Sequence, residues 1–170
     1  MTFTRIMLNV AVAVTAVVLQ LTVVNPLDLP GGGPDLPLLG LVGLALVQGP
    51  ITGAVTGFAI GLMLDVVPPA DGAIGQWALV LCLVGYVTGL VGPDVRGSAL
   101  RVVALVAGLS AVEVLAYAAI GLIFGAPGVT GPAVLEATLG TVGYDVFLAP
   151  FVVPPLMALA RRVESDPMWA

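Results

Sequence analysis

Four carboxylates lie in or beside long apolar stretches: Asp65, Glu113, Glu136 and Asp145. Paired acids of this kind can cut glycosides or peptides by general acid and base work. Nothing else in the chain completes a catalytic set. There is no His and no Lys; the five cations are Arg5, Arg96, Arg101, Arg161 and Arg162. Without His, the usual nucleophilic triads and histidine metal sites are absent. No glycine-rich loop has the phosphate-binding pattern. Cys82 is the single cysteine, which excludes an intramolecular disulfide and a cysteine metal cluster. Its ordinary place is as a small apolar residue inside a helix. No Lys/Arg stripe exists for a nucleic-acid surface. The residues therefore argue against an enzyme, a metal centre, a cofactor or a nucleic-acid partner.

An acid at membrane depth is costly unless it is partnered, so each acid needs an account. Glu136 falls in the first turn of its expected helix, where the macrodipole favours an anion. Asp65 sits at a helix C-terminal end, where the dipole disfavours one. It needs donors, either backbone N–H groups at the start of the next helix or a basic group on a partner protein. Glu113 is about 18 Å along its helix from Arg101, and Asp145 is about 20 Å in from Pro132. Both are either neutral and hydrogen-bonded or line a cavity.

Asp65 also closes a series. Gly53, Gly57 and Gly61 recur every fourth residue, and the next position in the row is the aspartate. A step of four drifts about 40° round a helix. Glycines so spaced let another helix approach closely in lipid. Gly85 and Gly89, in the following apolar segment, offer a matching groove. The row serves either packing within the chain or association of two copies.

These residues need elements to hold them, and composition decides which. The chain has 170 residues, 59% hydrophobic and 9% charged, against about 25% charged in soluble domains. Only helices or a closed barrel can span lipid. The apolar runs are continuous rather than alternating, so the fold class is all-α, a polytopic membrane protein. The expected spans are 6–24, 36–48, 50–67, 74–92, 102–125 and 133–160, in one membrane domain over 1–170. Residues 6–24 lead into Asn25-Pro26 with no small-residue cleavage site, which reads as an uncleaved anchor. Residues 36–67 would be about 48 Å as one helix, too long for a single crossing, and Gly49-Pro50 divides them. Spans two and three are thus short or hairpin-like. Asp35 is placed to cap span two, with Pro37 in its first turn. Trp77 suits an interfacial belt. Gly92-Pro93 ends span four, and a charged loop at 93–101 follows. Pro150, Pro154 and Pro155 predict a kinked or broken last helix, satisfied only within protein surroundings.

Charge tests the count. With the N-terminus inside, the segments 1–5, 49–50, 93–101 and 161–170 are inner and hold all five Arg. The outer segments 25–35, 68–73 and 126–132 hold none. About six spans with both termini cytoplasmic satisfy the positive-inside rule; one span over 36–67 would not.

Over roughly residues 20–90 the chain resembles the rod shape-determining protein MreD family. The resemblance rests on Gln20; Pro34-Asp35-Leu36; Gly49-Pro50; Gly53, Gly57-Phe58 and Gly61-Leu62-Met63-Leu64-Asp65; Gly72; and Gly85-Tyr86 with Gly89. Beyond that it is length, topology and a proline-bearing last span followed by Arg. The family often has Asn where Asp145 stands, so no role passes to Asp145. The resemblance implies a non-catalytic subunit of the cell-elongation complex in the bacterial inner membrane, concerned with cell shape and lateral peptidoglycan synthesis. It implies direct binding to MreC, and assembly with MreB, RodA and a class B penicillin-binding protein. In this reading Asp65 and the glycine row order a surface for MreC. The family also resembles, in six-helix architecture, the substrate-binding subunits of energy-coupling-factor transporters. That leaves a small-molecule-binding transport subunit as the alternative, with Glu113 and Asp145 facing a central cavity.

Overall fold

The computed structural model describes residues 3–67, 75–125 and 129–164. The expected turn at 68–73, including Gly72, lies outside the described residues, as do 126–128 and the tail from 165. Among the described residues there are six α-helices and no strand. They are α1 (Phe3–Leu19), α2 (Leu36–Gln48), α3 (Pro50–Val66), α4 (Gln76–Val95), α5 (Ala99–Ile123) and α6 (Gly131–Glu164). α1 continues through a wide π turn at Gln20–Val24 and a tight turn at Asn25–Leu27. Pro26 lacks the N–H that would continue the regular ladder there.

The short helix α2 is the hub. It is apolar on every side, and every residue from Pro37 to Val47 is buried. A helix of that kind belongs in the centre of a bundle. Gly40 lies against Val12 and Ala16 of α1, and Gly43 against Val153 and Leu156 of α6. Leu46 meets Gly92 of α4, and α3 and α5 also pack on α2. At about 20 Å it is shorter than the roughly 30 Å hydrocarbon core. Its neighbours, rather than lipid, surround it.

Gly49 folds α3 back along α2. Its φ of 87° is open to glycine and strained for other residues. Its N–H donates to the Ala45 carbonyl, and its own carbonyl accepts from Gly53 N–H. Gly53 then sits beside Ala45 and Gly57 beside Leu41, positions equidistant from the joint. Pro50 opens α3 where a missing N–H costs no helical bond.

Among the described residues, four helical stretches are long and apolar enough to cross a membrane: Phe3–Leu27, Gln76–Val95, Ala99–Ile123 and Gly131–Glu164. Leu36–Gln48 and Pro50–Val66 are apolar but shorter. Successive helices alternate in direction. The arginines gather at one end of the bundle. Arg5 pairs with Glu164, Arg96 and Arg161 line one groove, and Arg101 Nη1 donates to the Asp94 carbonyl at 2.9 Å.

Two expectations about proline need correction. α4 does not stop at Gly92-Pro93; it runs through Pro93 to Val95, held by Arg96 N–H on the Gly92 carbonyl. The connection to α5 is only 96–98, not a loop over 93–101. α6 is also unbroken through Pro150, Pro154 and Pro155. All three rings lie on its exposed side, while Ala149, Val153 and Met157 on its buried side pack into the core. The packed face holds the helix together where the proline face loses ladder bonds.

Candidate functional site: a glycine seam and two carboxylate clamps

The row of glycines lies on the interface between α3 and α4, which run antiparallel with their backbones in contact. A Cβ built on Gly57 would stand 2.1 Å from the Leu81 carbonyl oxygen. One on Gly53 would stand 2.3 Å from the Gly85 carbonyl, and one on Gly61 2.3 Å from the Trp77 carbonyl. From the other side, Gly85 meets the Gly53 backbone and Gly89 meets Gly49 and Pro50. Only glycine permits this spacing, and the close approach maximises van der Waals contact where lipid supplies no hydrophobic drive. Packing within the chain thus uses Gly53, Gly57, Gly61, Gly85 and Gly89, all buried. That leaves none of them to the association of two copies.

Asp65 closes the seam at its far end. It is 6% exposed. Its Oδ2 accepts from Gly75 N–H and Ala78 N–H, each at 3.0 Å, and its Oδ1 from Trp77 N–H at 3.1 Å. The first N–H groups of a helix have no partner inside it. Here a carboxylate from the preceding helix supplies it, and the positive end of the α4 dipole favours the charge. Of the two donor sources weighed for Asp65, the structure places it on the backbone of α4. Next to it, Gln76 Nε2 donates to the Tyr117 carbonyl at 2.7 Å. Trp77 stacks on Tyr117 with ring centroids 4.3 Å apart, which ties α4 to α5.

A second clamp starts the hub helix. Asp35 Oδ1 accepts from Leu38 N–H at 2.7 Å, as an N-cap should. Leu36 N–H donates to Gln20 Oε1 at 3.0 Å, and Asp35 N–H donates to Asp145 Oδ1 at 2.7 Å. Pro37 has no N–H, and Leu39 N–H reaches the Asp35 carbonyl. Every donor in the first turn of α2 is therefore satisfied. The other Asp145 oxygen accepts from Ser110 Oγ at 2.6 Å, so one carboxylate joins α2, α5 and α6. Burial pushes the Asp35 carboxyl up to about 6, partly offset by the Leu38 N–H. Near the arginine end, Asn9 and Gln48 exchange amide hydrogen bonds at 2.8 and 2.9 Å, and Asn9 Nδ2 also reaches Thr56 Oγ1. This knot ties α1, α2 and α3 together.

A family model described as the rod shape-determining protein MreD matches residues 1–163. The chain belongs to the MreD family. It is a rod-shape-determining membrane protein. No curated protein and no solved structure matches the chain. Within this MreD chain Asp35, Glu113 and Asp145 lie within electrostatic reach of one another, while Asp65 is held apart at the start of α4. Among the described residues, no group of three or more His, Cys, Asp or Glu could hold a metal ion. Glu136 is exposed, and because α6 begins at Gly131 it lies beyond the first turn rather than in it. Glu113 is 1% exposed on α5, one turn from Ser110, and neither carboxylate oxygen has a hydrogen-bond partner.

Sequence reading of the MreD chain missed three things. The Asp145 bridge spans 110 positions and has no local signature. The amide knot hangs on Asn9, an amide one turn into the first apolar run that could have been flagged. The third is the loop glycines. Gly31 and Gly32 take φ of 71° and 96°, and a Cβ on Gly140 would stand 2.0 Å from the Gly31 carbonyl. Gly31 and Gly32 thus lie on α6, and Gly33 on Val24 and Leu29, rather than simply linking two helices.

Proposed function

We propose that this chain is a non-catalytic, multi-pass subunit of the bacterial cell-elongation complex, a single membrane domain over 1–170 that binds MreC. The observation that carries the reading is the family match across residues 1–163. The bundle supports it. A seam of backbone contacts and two carboxylate clamps fix α2, α3 and α4 rigidly, as a scaffold requires. The arginine end is proposed to face the cytoplasm by the positive-inside rule, with both termini there, in the inner membrane. The seam end with Asp65 then faces outward, beside the extracytoplasmic domain of MreC.

The seam itself is occupied, so Gly53, Gly57, Gly61, Asp65, Gly85 and Gly89 act on a partner through the pose of α3 and α4. The contact surface offered is their exposed outer ridge, with Phe58 and Leu62 on α3 and Leu83 and Tyr86 on α4. MreB, RodA and a class B penicillin-binding protein join through the complex. The transport alternative needs Asp145 and Glu113 to face a ligand, but Asp145 is engaged with Ser110 and the start of α2. Co-purification from native membranes followed by mass spectrometry tests the proposal. Recovery of MreC and RodA is expected. Recovery of a transporter ATPase module without MreC would overturn it. Bulky substitution of the ridge, Phe58→Trp with Leu83→Trp, is expected to lose MreC while the chain stays folded.

A further inference from the structure

A pocket lies at the same end of the molecule as Asp65, where α1 runs out through its wide and tight turns. Gln20, Asn25 and Asp28 line it together with Val24, Leu29 and Gly33, around about 190 Å³. Sites for small molecules hold roughly 300–1,000 Å³; this one has room for a single long side chain. A tight turn fixes Asp28, whose φ is 45° and whose N–H donates to the Asn25 carbonyl at 3.3 Å. Gly33 closes the apolar side, so near Val24 that a Cβ would stand 2.9 Å from its Cγ1. On the polar side, Gln20 Oε1 accepts from Leu36 N–H, and Asn25 Oδ1 from Gln20 Nε2 at 3.3 Å. Each of these oxygens keeps a second lone pair. The exposed Asp28 carboxylate takes no hydrogen bond and no ion pair from the described residues.

We propose that this pocket seats a lysine side chain of a second protein, its ammonium on Asp28 and its methylene stem against Val24 and Leu29. Lysine has both parts the pocket asks for, an apolar stem and a charged head. Its compact head spreads three donors, which one carboxylate and the amide oxygens of Asn25 and Gln20 can share; the planar fork of arginine suits a paired set of acceptors. Charge says where the lysine comes from. The chain has no Lys, and its five Arg lie at the other end. The Asp65 end carries Asp28, Asp35, Asp65 and Glu136 with no cation. Asp65 and Asp35 are held by backbone donors of α4 and α2, which leaves Asp28 to an outside charge. Complementary charge of this kind selects a partner and fixes its register. A zwitterionic lipid amine would bring its phosphate into an anionic rim, and a second copy of this chain has no lysine to give. The proposal rests on the reading above in placing that partner on the extracytoplasmic side.

Native membranes carrying the tagged full chain are treated with a water-soluble carbodiimide, which joins a carboxylate to an amine in contact with it. Mass spectrometry of the recovered peptides then reads the junctions. An amide between Asp28 and a lysine is expected, and that lysine belongs to another protein because this chain has none. Glu136 is exposed at the same end but outside the pocket. It is expected to give about tenfold less product, since the charge-assisted hydrogen bond holds the lysine at Asp28 alone. Leu29→Trp fills the pocket and keeps the carboxylate, and is expected to abolish the junction. In co-purification, Asp28→Asn is expected to retain about tenfold less of the joined protein, and Asp28→Glu to retain it. Equal reaction at Glu136, a lipid amine on Asp28, or an unreacted Asp28 would each overturn the proposal. Recovery of MreC from the same membranes shows whether the reading of the complex stands when Asp28 does not react. An unchanged junction in a folded Leu29→Trp chain, or full retention by Asp28→Asn, would also overturn it.

Discussion

Gly57→Ala adds a single methyl group, and the seam turns it into a large perturbation. The added Cβ would stand 2.1 Å from the Leu81 carbonyl oxygen, where ordinary contact begins at 3.4 Å. The two backbones must part locally by about 1.3 Å, the difference between these distances. Neither partner is the flexible end of a side chain, so the helices themselves move. A gap of 0.5–1 Å already forfeits about a quarter to a half of each contact's attraction, and Gly53 and Gly61 lie one turn away on either side. Overpacking of this severity costs about 3 kcal/mol, against about 1 kcal/mol gained from the better helix propensity of Ala. The expected net loss is about 2 kcal/mol. Gly143→Ala on α6 is the control, because its Cβ meets nothing within 4 Å; it is expected to be neutral or slightly stabilising. Equilibrium unfolding of both variants in mixed micelles of rising SDS fraction gives the comparison. If Gly57→Ala unfolded no more easily than Gly143→Ala, α3 and α4 would not be in backbone contact, and the whole account of the seam would fail.

Three further outcomes are expected. Asp65→Asn keeps the volume but offers one acceptor oxygen to donors that use two, so it is expected to cost about 1–3 kcal/mol and to speed amide exchange at Trp77 and Ala78; unchanged exchange there would contradict the clamp. Glu113→Gln is expected to change stability by less than about 0.5 kcal/mol or to raise it, because the carboxylate has no hydrogen-bond partner to lose; a loss above about 1 kcal/mol would show that the charge holds something. Asp35 rises from 3.8 to about 6 on burial, so the folded chain holds this proton more tightly than the unfolded one. Its contribution to stability is then greatest below pH 4, falls as pH rises toward 6, and is flat above. In the same unfolding assay, the difference between wild type and Asp35→Asn should show that slope between pH 4 and 6, and a flat difference would count against it.

Much of the fold was legible because lipid imposes strong rules. Unbroken apolar runs gave the helices, and Gly49-Pro50 marked the joint. The positions of Arg5, Arg96, Arg101, Arg161 and Arg162 placed one end of the bundle. The seam was legible too, since glycines four apart have few uses inside a helix, and an aspartate after them at a C-terminal end needs external donors. Helix limits at proline were misjudged. Sequence reading treats Pro93 and Pro150 as breaks, but a helix packed on one face tolerates a missing bond on the other. The role of Asp145 was not legible at all. Its partners, Ser110 and the Asp35 N–H, come together only when three helices are in place, and no spacing along the chain records that.

The Asp145 bridge also has a consequence for synthesis. α2 is too short to settle in a bilayer alone, and its first turn stays incomplete until Asp145 arrives. The two bonded residues are 110 positions apart. At about 5–20 residues per second, the ribosome needs roughly 6–20 s to make that stretch. During that interval the central helix waits with an unpaired donor. The bundle is therefore completed only when α6 arrives, and a nascent chain cut short before α6 leaves the Asp35 N–H without its Asp145 partner.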